Sequence, residues 1–275
     1  MNRQNKSTYS EYIAKAEDLA DDVLRSTKRY LPHIARVCLI STFLEDGIRM
    51  WTQWSEQRKY MEDLWGMGGF LSFLFVLINL IGQIAGCAMV LSRKKVEIGV
   101  GILAGVVVLQ TILYNVIWEL RFLMRNFAIG GGLILLLAEC KGETKSIFAG
   151  VPRLDSNTPQ TYLQLAGRLL LVFMFMTLFR FDVSFISIIQ NIFGSTLIIL
   201  VGVGFKTKLS SLVLVVWLLC VNLYLNPFWM YSADTFIQDY LRYDFFQYMS
   251  VIGGLLLIVA HGPGGLSVDD QKKKW

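Results

Sequence analysis

Apolar stretches of about 18 residues or more recur along this chain, and that recurrence restricts its fold more than any single motif does. In hydrocarbon every backbone N–H and C=O must be satisfied within the protein, so such stretches become helices. The chain is 54% hydrophobic and 17% charged, with mean hydropathy +0.49; soluble domains carry roughly 25% charge. The sequence therefore predicts an all-α polytopic membrane protein with about eight spans, near 32–51, 68–91, 97–117, 121–139, 162–180, 184–204, 209–227 and 245–261. The first span carries Arg36, Glu45, Asp46 and Arg49. Ahead of it, Tyr12, Ala16, Leu19, Ala20, Val23 and Leu24 share a face over residues 8–30, which predicts an amphipathic helix on the membrane surface. Lys15, Glu17, Asp18, Asp21 and Asp22 interrupt these first residues, and no apolar core follows a basic cluster, so no cleaved signal peptide is expected.

Charge reports topology here, not nucleic acid. Eight spans put both termini on one side. That side then carries Arg93, Lys94 and Lys95, then Lys141, Lys145 and Arg153, then Lys206 and Lys208, together with the basic residues of both ends. The other side carries Arg58, Lys59, Arg121, Arg180 and Arg242. The bias predicts cytosolic termini. The sequence closes on Lys272-Lys273-Lys274-Trp275, and Lys272 and Lys273 fit a dilysine retrieval signal, an address read by a cytosolic coat. The plain alternative is a solvated basic tail.

The two halves read as a duplication. Ala35-Arg36-Val37-Cys38-Leu39 resembles Gly167-Arg168-Leu169-Leu170-Leu171, Asn79-Leu80-Ile81-Gly82 resembles Asn191-Ile192-Phe193-Gly194, and two further pairs, at 115–118 and 226–229 and at 127–131 and 250–254, follow in the same order. This predicts two parallel four-helix repeats related by an axis along the membrane normal. The expected organisation is an N-terminal segment 1–30, repeats 31–139 and 162–261, a cytosolic loop 140–161 and a tail 262–275. The Gly82-x-x-x-Gly86 and Gly101-x-x-x-Gly105 spacings predict close helix packing.

Charge inside a membrane is costly and marks a functional site by default. It gathers at the span ends expected to face the lumen: Glu45, Asp46 and Arg49; Trp118, Glu119 and Arg125; Asp182; Asn226 and Trp229. These residues are the candidate binding site, with carboxylates for a free amine, Arg and Asn for carbonyls, and aromatics for apolar groups. Each has a plainer reading as an ion pair or an interfacial ring, and Glu45 to Arg49 has the i, i+4 spacing of a helical pair. Arg36 and Arg168 fall toward the cytosolic ends and read as structural. Cys38, Cys87, Cys140 and Cys220 lack paired spacing, and the only histidines are His33 and His261. No metal, no cofactor and no enzymatic activity is expected.

Several strings are specific: Phe43-Leu44-Glu45-Asp46-Gly47-Ile48-Arg49-Met50-Trp51, Phe122-Leu123-Met124-Arg125-Asn126, Phe148-Ala149-Gly150-Val151-Pro152, Gly204-Phe205-Lys206-Thr207-Lys208, Tyr243-Asp244-Phe245-Phe246-Gln247 and Gly262-Pro263-Gly264-Gly265. In these the chain resembles the surfeit locus protein 4 family from about residue 16 onward. The resemblance implies a receptor in the endoplasmic reticulum membrane, the intermediate compartment and the early Golgi. Such a receptor loads soluble secretory cargo with apolar, proline-containing N-termini into coated vesicles and is retrieved through Lys272 and Lys273. It implies cargo, an export coat, a retrieval coat and membrane lipids as partners; assembly as a homo-oligomer stays open, and no nucleic acid is expected. It also implies a relation to bacterial four-span proteins of the DoxX type, in keeping with the duplication. The competing reading is a small-molecule or lipid transporter, since repeats with buried charge at their interface suit one. A redox membrane subunit is a third, disfavoured by the unpaired cysteine spacing.

Overall fold

A computed structural model describes residues 30–269 apart from 67, 116–117, 147–157, 180–183, 233–234 and 262–266, together with scattered positions before residue 30. The described residues are helical, with no strand among them: α1 (Leu31–Thr52), α2 (Trp54–Trp65), α3 (Gly69–Leu91), α4 (Val96–Leu113), α5 (Leu120–Ser146), α6 (Thr158–Met176), α7 (Phe185–Val203), α8 (Thr207–Leu225) and α9 (Phe236–His261), with a 3-10 turn at Phe228–Met230 before α9. The amphipathic segment expected at 8–30 lies largely outside the described residues.

Among the described residues, six segments are long and apolar enough to cross a membrane: Gly69–Leu91, Val96–Leu113, Phe122–Cys140, Phe185–Val203, Thr207–Met230 and Phe236–Ala260. The two other expected spans differ for physical reasons. α1 has the length but carries Arg36, Glu45, Asp46 and Arg49. α6 has a short apolar part, Leu165–Met176.

Neighbours in sequence pack as neighbours in space, and α9 then packs along α1 to close the bundle, while α5 packs along α6. The α1–α9 seam is tight because Gly253 lacks a side chain: a Cβ there would sit 2.5 Å from the Leu39 nitrogen and 2.6 Å from the Ala35 oxygen. Ser250 Oγ donates to the Leu39 carbonyl across the same seam at 3.1 Å. α9 is the most enclosed of the six, with Val251 to Val259 all buried.

Buried polar groups tie the helices. Arg36 donates through Nε and Nη2 to both oxygens of Glu139 at 2.8 Å, joining α1 to α5 with both side chains under 5% exposed. A bidentate pair of this kind satisfies charges that apolar surroundings would otherwise penalise. Asp269 caps the start of α8, accepting from the Lys206 and Thr207 nitrogens and from Thr207 Oγ1, each at 2.8 Å. α2 falls between the first two expected spans. It is held on α3 by buried Met61 and by Glu62, whose Oε1 accepts from Ser72 Oγ at 3.0 Å and Arg58 Nη2 at 3.2 Å. Those two bonds, Ser72 first, hold the Glu62 carboxyl below its usual value, so this tether persists above the ordinary glutamate range and loosens as pH falls through the lowered value.

Candidate functional site

The site is built from helical stripes. On α1, Thr42, Glu45, Asp46 and Arg49 follow the i, i+3, i+4, i+7 spacing of one helix face. On α9, Phe236, Asp239, Tyr240, Tyr243 and Gln247 extend the same pattern. Both stripes, with Gln110 of α4, Tyr114 just past its end, Glu119, and Asn126 of α5, line one cavity of about 440 Å³, within the ~300–1,000 Å³ range of ligand pockets. Gln57 and Tyr60 of α2 sit at its rim, where Tyr60 stacks on Tyr114 at 5.7 Å and the Tyr114 hydroxyl donates to Gln57 Oε1 at 2.8 Å.

The carboxylates of this cleft are not equivalent. Asp46 accepts from Arg49 at Oδ1, and at Oδ2 from Gln83 and from Gln110 (2.7 Å), so it braces α1 against α3 and α4. Asp239 accepts from Gln53 at 3.0 Å and Arg242 at 2.7 Å, one donor on each oxygen. Glu45 is 5% exposed, and its Oε1 has no hydrogen-bond partner. The Nε atoms of Arg242 and Arg49 lie 3.2 and 3.9 Å from that oxygen, close enough for charge attraction but without hydrogen-bond geometry. Both Nε atoms are themselves buried without a hydrogen-bond partner, as is Thr42 Oγ1 one helical turn below.

Of the residues singled out from sequence, Glu45, Asp46, Arg49 and Glu119 come together in this lining. Arg125 stands beside it, donating to Asp244 at 3.2 Å with its guanidinium 5.0 Å from the Tyr243 ring centre, which ties α5 to α9. Trp118 is 84% exposed and is not in the lining. Asn226 is buried outside the cleft and donates to Asn222 at 2.8 Å. Trp229 packs edge-on against Phe228 and Phe245 at 5.3 and 6.0 Å. Asp182, Lys272 and Lys273 lie outside the described residues. Thr42, Gln110, Asp239 and Tyr243 line the site and Arg242 stands beside Glu45 outside that lining; none of the five was singled out. The signal for Thr42 and Asp239 was present, since each completes a polar stripe at helical spacing. Among the described residues no group of three His, Cys, Asp or Glu side chains is placed to hold a metal.

Beside the cleft runs an apolar groove of about 390 Å³ between α4, α5 and α6, rimmed by the outward-facing Val108, Ile112 and Phe127. Val107 and Asn126 line both spaces, and Asn126 Nδ2 donates to Thr111 Oγ1 at 2.8 Å at this shared wall.

Apolar helices closing over an acidic, aromatic cleft at one end of the bundle define a helical polytopic membrane protein. Within that class the chain belongs to the surfeit locus protein 4 family: the model of the SURF4 family matches residues 10–275. The chain is 55% identical to the Surfeit locus protein 4 homolog of Drosophila melanogaster over 266 residues, covering 97% of this chain and 98% of that one. It is 36% identical to the Surfeit locus protein 4 homolog of Schizosaccharomyces pombe over 276 residues, covering 98% and 90%. It is 32% identical to the ER-derived vesicles protein ERV29 of Saccharomyces cerevisiae over 274 residues, covering 98% and 86%. No solved structure matches the chain.

Proposed function

We propose that this protein is a cargo receptor of the early secretory pathway. It takes soluble secretory proteins from the endoplasmic reticulum lumen into coated vesicles bound for the Golgi. The family membership and a relative named for ER-derived vesicles support the pathway. In this reading α1 and α6 also cross the bilayer, giving eight crossings as two tandem DoxX-like four-helix units with both termini cytosolic. The cleft then faces the lumen. A free cargo N-terminus enters it, its ammonium drawn to Glu45 and its apolar side chains lying against Phe43, Phe122 and Tyr240. Lys272 and Lys273 return the empty receptor through a retrieval coat.

The observation that carries the reading is the buried Glu45 oxygen without a hydrogen-bond partner. That oxygen has the charges of Arg242 and Arg49 beside it but no hydrogen bond, and an incoming ammonium would supply one. The test is photo-crosslinking in microsomes with a cargo bearing an apolar, proline-containing free N-terminus. Acetylating the amine, or Glu45→Gln in the receptor, is expected to remove most of the crosslink. Equal crosslinking to free and acetylated cargo would end the amine reading.

The groove favours a second reading, a lipid or small-molecule transporter. Its outward rim would admit a lipid tail while the shared wall at Asn126 brings a headgroup to the cleft. Lipid transfer by purified protein in vesicles, with no dependence on cargo N-termini, would put that reading first.

A further inference from the structure

The proposed amine site accounts for Glu45 but not for the two arginine nitrogens beside it. Around the Glu45 Oε1 atom lie two donors without an acceptor, Nε of Arg242 at 3.2 Å and Nε of Arg49 at 3.9 Å. A third buried group without a hydrogen-bond partner, the Thr42 hydroxyl, lies on the same stripe. A bare amine supplies donors only and leaves both nitrogens unsatisfied. A group that matches the whole set presents an ammonium and, three bonds away, a neutral acceptor oxygen. The first unit of a peptide has that arrangement: the α-ammonium faces Glu45 and Thr42, and the carbonyl of residue one faces Arg242 and Arg49.

A phosphoethanolamine headgroup also joins an ammonium to an acceptor, but its acceptor is anionic. Glu45, Asp46, Glu119 and Asp239 outnumber Arg49 and Arg242 in and around this cleft, so a neutral carbonyl suits the field better than a phosphate.

We infer that Arg242, supported by Arg49, reads the first carbonyl of the bound N-terminus and so distinguishes a peptide from a simple amine. The inference rests on the amine reading above and adds to it a residue with a separate readout. Asp239 accepts from Arg242 Nη2 at 2.7 Å, and Arg242 Nε stands 3.2 Å from Glu45 Oε1, behind the residues that line the cleft.

The experiment uses the full chain in nanodiscs and a fluorescent apolar tripeptide probe. One companion carries methylenes in place of the first carbonyl and of the nitrogen that follows it, so that no second basic amine arises, with the N-terminal amine kept; another carries an acetylated amine. Removing the carbonyl is expected to weaken binding by roughly tenfold or more, as for loss of a hydrogen bond to a charged group. Arg242→Gln should weaken the parent probe by a similar factor and leave the methylene analogue unchanged, while Glu45→Gln should weaken both. Equal weakening of both probes by Arg242→Gln would overturn the inference, because Arg242 would then act only by holding Glu45. If acetylation abolishes binding while the methylene substitution does nothing, the carbonyl inference fails and the amine reading survives. If acetylation does nothing, the amine reading itself fails. Competition by phosphatidylethanolamine vesicles stronger than by the parent peptide would assign the site to a lipid headgroup and overturn the inference. Thermal melting of each variant in nanodiscs confirms that it is folded before binding is compared.

Discussion

Glu45 and Asp46 are adjacent in sequence, and on a helix they project about 100° apart. That angle separates their roles. Asp46 turns toward α3 and α4 and is saturated by three donors, whereas Glu45 turns toward α9 and keeps a buried oxygen without a hydrogen bond. Sequence could present both as candidates but could not rank them, because the amides that saturate Asp46 stand at Gln83 and Gln110 on other helices. The Arg36–Glu139 pair makes a sharper case, since both residues are buried and bonded twice. Glu139→Gln is expected to lower stability by about 3–5 kcal/mol, the cost of leaving a buried charge without its partner. Arg36→Met combined with Glu139→Leu should recover much of that loss. Thermal melting of the purified variants in detergent checks both; a double variant no better than the single would mean that packing, not charge, sets the effect.

At the scale of elements, hydropathy found the apolar helices and misread the charged ones. α2 was hidden because Glu56, Arg58, Lys59, Glu62 and Asp63 lower its hydropathy, although Gly66 in a left-handed conformation marks where it stops. α9 was expected from 245 and begins at Phe236, because Asp239, Arg242 and Asp244 dilute the apolar signal over its first turns. The same stretch gives Phe236, Asp239, Tyr240 and Tyr243 to the cleft lining, so part of the site lies where hydropathy passed over it. The seam between α9 and α1 depends on backbone approach at Gly253. Gly253→Val would force the helices apart, with a cost of at least the ~1–3 kcal/mol of an overpacked core. It should also move Arg242 away from Glu45. Reduced melting temperature together with weaker cargo crosslinking is the expected result; normal crosslinking would show that the cleft is independent of the seam.

For the whole molecule, closure of α9 onto α1 sets the start of the first helix beside the end of the last, which fits termini on one side of the membrane. The retrieval proposed above is tested on the intact chain in a cell. Lys272→Ser with Lys273→Ser is expected to shift steady-state location toward later secretory compartments, read by imaging against Golgi markers. An unchanged distribution would leave those lysines as a solvated tail.

The same closure governs how the chain is made. In the eight-crossing reading α1 is made well before its partners: its charged residues meet Glu139 only after α5 has emerged and Arg242 only with α9. About 200 residues separate Glu45 from Arg242, so at ~5–20 residues per second α1 waits roughly 10–40 s for its partner. During that interval a helix bearing Arg36, Glu45, Asp46 and Arg49 must be sheltered by the insertion machinery or lie shallow in the bilayer. Biogenesis of this protein thus has a vulnerable window. A ribosome stalled before α9 leaves α1 as the exposed feature that membrane quality control would recognise.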